Sequence, residues 1–315
     1  MGRNMTRLVL LFVTMMIALA GVATAQDAPV EPDRKRLGFG ILANNDFFGD
    51  GHDRWQSGSV SSSRIYGPGW YGTLPQTPGE IVEYRFQGRI ISPANTTKPE
   101  DDDRPYAASL ALGTHTHFAY GLGEISLGAD LVFSGANTGV SNLQSEVHEM
   151  LNMDALSTLT VSDQIPNGLH PTVVLEYGQS VNLGSGAEIR PFAELRGGDE
   201  TLFRSGVDLY FGEALANSLL VRDQVTGQRY QTARDQEASG VGFVLGGDFA
   251  HMESSIYLPD GLGSEMTDNR TRVRAGVLWQ DKGNSVFYGM TWLSEEFTSQ
   301  PEPQVVGSIR ISFEF

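Results

Sequence analysis

The chain ends in the segment Val305-Val-Gly-Ser-Ile-Arg-Ile-Ser-Phe-Glu-Phe315. Its apolar side chains occupy every second position, at Ile309, Ile311, Phe313 and Phe315. Because successive side chains of a β-strand point to opposite faces, the segment predicts a strand with one apolar and one polar face. Such a strand suits the wall of a membrane barrel, where lipid meets the apolar face and closure pairs every backbone edge.

Eleven more segments show the same two-residue period. Together with the last one they are 37–43, 54–66, 81–91, 106–118, 125–133, 172–181, 188–196, 203–211, 241–251, 270–280, 286–292 and 305–315. Convincing helical periodicity occurs only near 143–153. We therefore predict an all-β fold, a transmembrane antiparallel β-barrel of about 12 strands with one short helix in an extracellular loop. A soluble β-sandwich would alternate in the same way, but the terminal aromatic residue and the leader described next favour the membrane barrel.

Residues 1–25 have the features of a signal peptide. Arg3 and Arg7 precede an apolar run at 8–20, and Ala-Thr-Ala at 23–25 gives a small-residue cleavage site. The run is shorter than a membrane-spanning helix requires, so we expect this segment to be removed during export.

The composition limits the class of the remaining chain, 26–315. The protein has 315 residues, no Cys and a formal net charge of −16. Without disulfides, an exported chain must be held by a core or a closed sheet. The acidic balance argues against a nucleic-acid partner. We expect one monomeric barrel domain in the outer membrane of a Gram-negative cell, with Phe315 recognised by the barrel-assembly machinery.

An even number of strands places both ends of the chain on the periplasmic side of the membrane. The loops after the first, third and fifth strands then lie outside. The segment 212–239 fits this path poorly. Two interpretations remain open for it, a long periplasmic connection or an extra hairpin near 219–231.

Candidate catalytic chemistry lies in three segments at the outer end. Asn45 and Asp46 follow the first strand, with Asp53 in the same loop; the segment 100–106 begins with four acidic residues; the predicted helix carries His148. Hard cations take several oxygen ligands from flexible loops, so these carboxylates predict a Ca²⁺ site. A histidine beside such an ion can take a proton from water while the cation polarises an ester carbonyl.

Other interpretations of these residues compete with that one. Acidic loops on an outer-membrane protein often only bridge lipopolysaccharide phosphates through divalent ions. A serine nucleophile, Ser57 or Ser145, is disfavoured because the chain has no Gly-x-Ser-x-Gly motif. His115 and His117 share one strand face, and a polar lumen explains them better than a metal site does.

Several motifs resemble the lipid A 3′-O-deacylase family of outer-membrane barrels. They are Asn45-Asp46, Asp53-Arg54-Trp55 leading to Gly58, Asp103-Arg104-Pro105-Tyr106-Ala107, and Gln144 followed by His148-Glu149. The resemblance is recognisable from residue 37 to 181 and looser beyond. It implies a Ca²⁺-dependent esterase whose site lies between the barrel wall and the loop helix and faces the outer leaflet.

The resemblance also implies roles for individual residues. Asp46 would be a calcium ligand. Asp53, in the same acidic loop, is counted with it as a metal residue because of its carboxylate. Asn45 would donate its side-chain amide to the developing oxyanion. His148 would be the general base that activates water.

The sequence departs from the family pattern at two places. Trp55-Gln56-Ser57 is one residue shorter than the family's segment, so Ser57 stands in for a threonine that helps shape the site, and we count it with the catalytic residues. After the helix, 167–170 replaces a Gly-Trp stretch that would contribute to the acyl pocket.

Arg104 and Tyr106 are candidates for substrate binding. Arg104 has two competing interpretations: its guanidinium binds a lipid A phosphate in bidentate fashion, or it braces the strand at the rim.

These observations together predict a calcium-dependent outer-membrane esterase. It would remove an ester-linked 3′-acyloxyacyl chain from lipid A, with His-activated water as the nucleophile. The alternatives are a barrel phospholipase acting on glycerophospholipids and a non-catalytic barrel that binds lipopolysaccharide.

Overall fold

A computed structural model describes residues 34–151, 157–234, 239–259, 261, 264–281 and 283–312, without the side chains of 147, 148, 150, 151 and 159. The predictions made for the signal peptide at 1–25 and for Phe315 lie outside these residues.

The described part of the chain contains fifteen strands. They are β1 (Lys35–Asn45), β2 (Trp55–Gly67), β3 (Ile81–Ser92), β4 (Ala107–Tyr120), β5 (Gly123–Ser134), β6 (Gly168–Gly178), β7 (Val181–Gly184), β8 (Ala187–Gly197), β9 (Glu200–Phe211), β10 (Leu219–Arg222), β11 (Arg229–Ala233), β12 (Gly240–Ser255), β13 (Asn269–Asp281), β14 (Asn284–Leu293) and β15 (Gln304–Ser312).

Twelve of these strands form a closed antiparallel barrel. The order of strands in the wall is β1 to β6, then β8, β9 and β12 to β15. The last strand closes the barrel on the first, with Ala43 opposite Ile309 and Asn45 opposite Gly307. The short β7 pairs with β8 at one end of the wall. All twelve segments predicted from the alternation are confirmed as wall strands.

The wall side chains alternate between an apolar outside and a filled lumen. On β14, Tyr288, Met290 and Trp292 are exposed on the outer face, whereas Phe287 and Thr291 are buried. The outer surface is therefore the apolar band that a lipid bilayer requires. No helix in the described ranges is both long and apolar enough to cross a bilayer.

A hairpin made of β10 and β11 fills much of the lumen. Arg222 in this hairpin lies 2.6 Å from Glu176 on β6 and 2.9 Å from Asp208 on β9. Tyr230 in the same hairpin contacts Ser63 on β2, with 2.7 Å between the hydroxyl oxygens. Contacts with strands from different sides of the wall place the hairpin inside the barrel. Of the two interpretations of 212–239, the structure shows the hairpin, and its lumenal position provides partners for its charged side chains.

The two strand histidines face this lumen, as predicted. His115 Nε2 lies 2.8 Å from Asp130, and His117 Nε2 lies 2.8 Å from Glu83. Each imidazole is thus paired with a buried carboxylate on the wall, so the two histidines belong to the polar filling of the barrel.

Six connections meet at one end of the barrel, which we call the rim. Their described residues are 46–54, 93–106, 135–151 with 157–167, 198–199, 256–259 with 261 and 264–268, and 294–303. The third of these carries two helices, α1 (Val140–Leu151) and α2 (Thr158–Ser162). Val140 packs against Tyr106 and Ala108. Ala108 shares its strand face with the exposed Leu112. Helix α1 therefore lies against the outer surface of the wall.

Candidate active site

The Asn45/Asp46 corner begins where β1 ends. Asn45 Oδ1 accepts a hydrogen bond from the backbone N–H of Phe47 at 2.9 Å and thereby caps the one-turn 3₁₀ helix Asp46–Phe48. Asn45 Nδ2 donates to the carbonyl of Ser57 on β2 at 2.7 Å. An amide nitrogen carries two hydrogens, and only one of them has a partner among the described residues. The Asn45 amide is thus held by two hydrogen bonds, and its second N–H has no partner among the described residues.

Asn45 lies on the outer side of the wall. Its neighbour Asn44 points into the lumen, where its amide donates to Ser59 on β2 and to Asp223 in the hairpin at 2.9 and 3.0 Å. Because successive strand residues face opposite ways, Asn45 faces outward, towards lipid and towards the side on which α1 packs.

Asp46 is fully buried. Its carboxylate accepts backbone N–H groups from Arg54 at 2.6 Å and from Phe47 at 3.0 Å. Burial raises its pKa, and the nearby carboxylates of Asp53 and Asp50 raise it further, to about 9, against the lowering effect of the two backbone bonds. The ionised form of Asp46 is therefore disfavoured, mainly by burial, unless a positive charge is bound beside it.

Gln304 ties this corner to the last strand. Its Nε2 donates to the carbonyl of Arg54 at 2.6 Å and contacts Asp46 Oδ2 at 3.4 Å, while its Oε1 accepts the N–H of Gln56 at 3.0 Å. These bonds enclose Trp55, whose backbone has φ 48°, in the left-handed region that a large side chain rarely adopts. Sequence reasoning missed Gln304, because only the closure of β15 on β1 brings it here.

Ser57 lies beside the corner, in an irregular stretch of β2. The pairing of β2 with β3 shifts register between Trp55 and Gly58. The Ser57 side chain is buried, and its hydroxyl has no hydrogen-bond partner within the described residues. A buried hydroxyl without a partner is costly, so this oxygen is a potential ligand for a group absent from the protein chain itself.

Arg104 occupies a different environment from Asn45. It is 1% exposed, and its guanidinium donates to Glu296 in the loop between β14 and β15. Burial alone would raise the pKa of Glu296, but Arg270, Arg104 and Arg89 outweigh burial and lower it to about 2. In this arrangement Arg104 braces the rim, as one of its two interpretations proposed. Its binding to a phosphate stays a prediction, and it would require the ion pair between Arg104 and Glu296 to break.

Tyr106 connects the rim to helix α1. Its hydroxyl donates to Gln144 Oε1 at 2.8 Å, and both side chains are buried. Burial raises the pKa of Tyr106, and the negative charge of Asp53 raises it further. The same carboxylate also acts on the pKa of Asp46. Tyr106 was a candidate for substrate binding; the structure places its hydroxyl against the helix.

His148 lies in α1, four residues after Gln144. Four residues are about one helical turn, or roughly 6 Å along the axis. The side chain of His148 is not among the described ones, so its role stays a prediction. The helix that carries it does lie at the same end of the barrel, and on the same outer side of the wall, as Asn45.

The Asn45/Asp46 corner offers oxygen donors of the type that binds a calcium ion. Carboxylate, amide and hydroxyl oxygens are the ligands that Ca²⁺ prefers, and the buried carboxylate of Asp46 and the hydroxyl of Ser57, which has no partner among the described residues, suit a bound cation. Among the described side chains, no group of three or more acidic or histidine residues converges as a metal site. The donor types of Asp46 and Ser57 fit calcium, but the described side chains do not by themselves form a complete ligand set.

The closed twelve-stranded wall, with an apolar outer surface and polar loops and a helix at one end, defines an outer-membrane β-barrel. The family model described as "Outer membrane protein LpxR" matches residues 8–315, and the chain belongs to this family. At the level of that family, the protein is an outer-membrane lipid A deacylase.

One solved structure among those found to be similar agrees with this fold. LpxR from Salmonella typhimurium has a TM-score of 0.73 at 15% sequence identity, and the match covers 88% of this chain and 100% of that one. The β domain of the Bordetella autotransporter BrkA has a TM-score of 0.41 at 11% identity, covering 88% and 100% of the two chains. No curated protein sequence matches the chain.

Proposed function

We propose that this protein is a calcium-dependent esterase that removes the 3′-acyloxyacyl chain of lipid A, with water as the nucleophile. The observation that carries the proposal is that segments distant in the sequence lie on the same side of the barrel. The Asn45/Asp46 corner, whose loop also carries Asp53, and the helix with His148 come from separate parts of the sequence and lie at the same end and on the same outer side of the barrel.

The position of this corner suits a lipid substrate. The lumen is filled by the β10–β11 hairpin and by ion pairs such as Arg222–Glu176 and Arg274–Asp208. An acyl chain would displace charged groups from their partners if it entered there, at a cost of several kcal/mol for each (on the order of 3–5). The outer surface instead offers lipid direct access from the bilayer, and Asn45 faces that surface.

Asn45 would stabilise the negative charge that develops on the ester oxygen. Its Nδ2 is fixed by the bond to the Ser57 carbonyl and retains a second N–H. A preorganised donor of this kind contributes about 3 kcal/mol to stabilisation of the transition state. No reorganisation of the corner is needed, because Phe47 N–H already holds the other end of the amide.

Asp46, with Asp53 and Ser57, would hold the calcium ion. When bound, the ion would supply positive charge that polarises the ester carbonyl. Asp46 is well suited to bind the ion because two backbone N–H groups orient its carboxylate.

His148 would accept the proton of the attacking water and later deliver a proton to the leaving alcohol. General base catalysis of this kind contributes about 10²–10⁴-fold to the rate. Arg104 would hold the rim through Glu296, so that the corner and the helix keep a constant separation.

The test uses purified, folded protein with lipid A in detergent micelles, analysed by mass spectrometry. We expect loss of the acyloxyacyl unit in the presence of calcium and no loss in the presence of a chelator, with activity restored when calcium is added back. Asn45→Ala should lower the rate about 100-fold or more. The matched control is His251→Ala, an exposed histidine on β12 at the same end of the barrel.

Two other results would overturn the proposal. Cleavage of glycerophospholipids with lipid A left intact would indicate a barrel phospholipase. No cleavage of either lipid, with calcium-dependent binding of lipopolysaccharide retained, would indicate a non-catalytic barrel.

A further inference from the structure

Tyr106 is the junction of three parts of the rim. Its hydroxyl donates to Gln144 of α1, and its backbone carbonyl accepts the N–H of Ile165, which follows α2. Its ring packs with Ala108 of the wall and Val140 at the start of α1. One residue at the top of β4 therefore contacts both ends of the helical loop.

The contact between Tyr106 and Gln144 is a buried polar link between α1 and the wall. Tyr106 is 1% exposed and Gln144 is 6% exposed, whereas Asn142, Leu143 and Glu146 on the same helix are exposed. A buried hydroxyl or amide that loses its partner costs about 1–3 kcal/mol, so the bond favours one rotational setting of the helix over others.

We propose that Tyr106 and Gln144 are positioning residues that fix helix α1, and with it residue 148, on the side of the wall that carries the Asn45/Asp46 corner. The inference rests on the proposed function for its catalytic consequence, because it assumes that His148 acts on the ester held at that corner. The link itself is geometrical. Gln144 precedes His148 by one turn, so a rotation or shift of α1 at residue 144 moves residue 148 by a similar amount.

The variants Tyr106→Phe and Gln144→Met remove one side each of the same bond. Phe keeps the ring and its packing against Ala108, and Met keeps the length and the helix propensity of Gln. We expect each variant to lower kcat about 10-fold with KM changed less than about twofold, because small misplacement of a catalytic group lowers the rate steeply. The double variant should be no slower than either single variant if both act through one bond.

The matched control is Tyr257→Phe. Tyr257 is equally buried at the rim, but its hydroxyl donates to Asp199 at 3.1 Å within the lumenal network. Loss of this hydroxyl tests whether any buried phenol at the rim affects the rate. We expect kcat of this variant to stay within about twofold of the wild-type value, since the bond that it removes joins Tyr257 to Asp199 and not to α1.

A second measurement follows the helix without using activity. The chain has no Cys, so spin labels can be placed at Asn142→Cys on the exposed face of α1 and at Gly197→Cys at the end of β8, where an added Cβ meets nothing within 4 Å. We expect a single narrow distance distribution in the otherwise unchanged protein. In Tyr106→Phe and in Gln144→Met the distribution should broaden or shift.

The two measurements separate failure of this inference from failure of the proposed function. Unchanged distance distributions in both variants would overturn the positioning role, whatever the activity. If the parent protein cleaves no lipid but the distributions broaden as expected, the positioning of the helix is supported and the esterase proposal fails. A drop in kcat that occurs equally in Tyr257→Phe would also overturn the inference.

Discussion

Asn44 and Asn45 are adjacent in the chain and lie on opposite sides of the barrel wall. Asn44 binds Asp223 of the lumenal hairpin at 3.0 Å, whereas Asn45 binds the backbone of Ser57 at 2.7 Å beside the outer surface. The two amides have the same chemistry, and only the alternation of the strand separates them. One residue of displacement along β1 would exchange a structural amide for a catalytic candidate, so the register of this strand determines the site.

Asp46→Asn should abolish the stimulation of lipid A cleavage by calcium, because the ion is no longer held, while the barrel stays folded. The substitution keeps the shape of the side chain and one acceptor for the backbone N–H of Arg54 or Phe47, but removes the negative charge that would hold the cation. Initial rates measured over a series of calcium concentrations test this, with folding checked by the heat-dependent mobility shift of the barrel on gels. A calcium response equal to that of the parent protein would exclude Asp46 as a ligand.

His148→Ala should lower the rate of acyl-chain release about 10²–10⁴-fold, because it removes the proposed general base. Binding of lipid A to detergent-solubilised protein should change little. The control is His52→Ala, since His52 is an exposed histidine in the loop after β1 whose imidazole lies 3.1 Å from Asp50. Equal activity in both variants would show that His148 is not the base.

Glu296→Gln should destabilise the rim. The buried carboxylate of Glu296 pairs with Arg104 and Arg270. Loss of one partner of a buried ion pair costs about 3–5 kcal/mol. Proteolysis of the rim loops, and unfolding in urea followed by tryptophan fluorescence, measure the effect. Glu302→Gln is the matched control, because Glu302 is 56% exposed in its pair with Arg54 and such pairs contribute about 0–1 kcal/mol.

The same carboxylate predicts a dependence on pH. Its pKa is lowered in the folded protein from 4.5 to about 2, so its contribution to stability is fully present above pH 4.5 and is lost as the pH falls towards 2. Loop proteolysis by an acid-active protease should therefore increase across this interval in the parent protein. In Glu296→Gln, this increase should be smaller over the same interval.

Gly38→Ala should push the lumenal hairpin away from the wall. A Cβ at this position would lie 1.9 Å from the backbone oxygen of Thr232 on β11, and backbone atoms cannot rotate aside. Overpacking of this kind costs about 1–3 kcal/mol, which unfolding in urea can measure. Gly197→Ala, which meets no atom within 4 Å, is the control and should leave stability nearly unchanged.

Part of the site could be anticipated from the sequence and part could not. The Asn45-Asp46 pair and the helix with His148 stand out because polar residues interrupt alternating or apolar segments. Gln304 and Glu296 carry no such signal, since each is one polar residue among several near the start of the last strand. For Arg104 the sequence was also insufficient, because its motif did not indicate whether the guanidinium binds a ligand or the buried Glu296.

By itself, the sequence determined the architecture. Period-two patterning fixes which face of each segment is apolar, and twelve such segments leave no backbone edge unpaired only when the sheet closes. Tertiary structure alone decided what fills the barrel and what holds the site. The position of the β10–β11 hairpin in the lumen, the bond from Gln304 to Arg54 and the bond from Tyr106 to Gln144 all join residues distant in the chain. Local sequence patterns indicate where a strand or a helix forms. Contacts between residues distant in the chain depend instead on strand register and on closure of the wall, which local patterns do not specify.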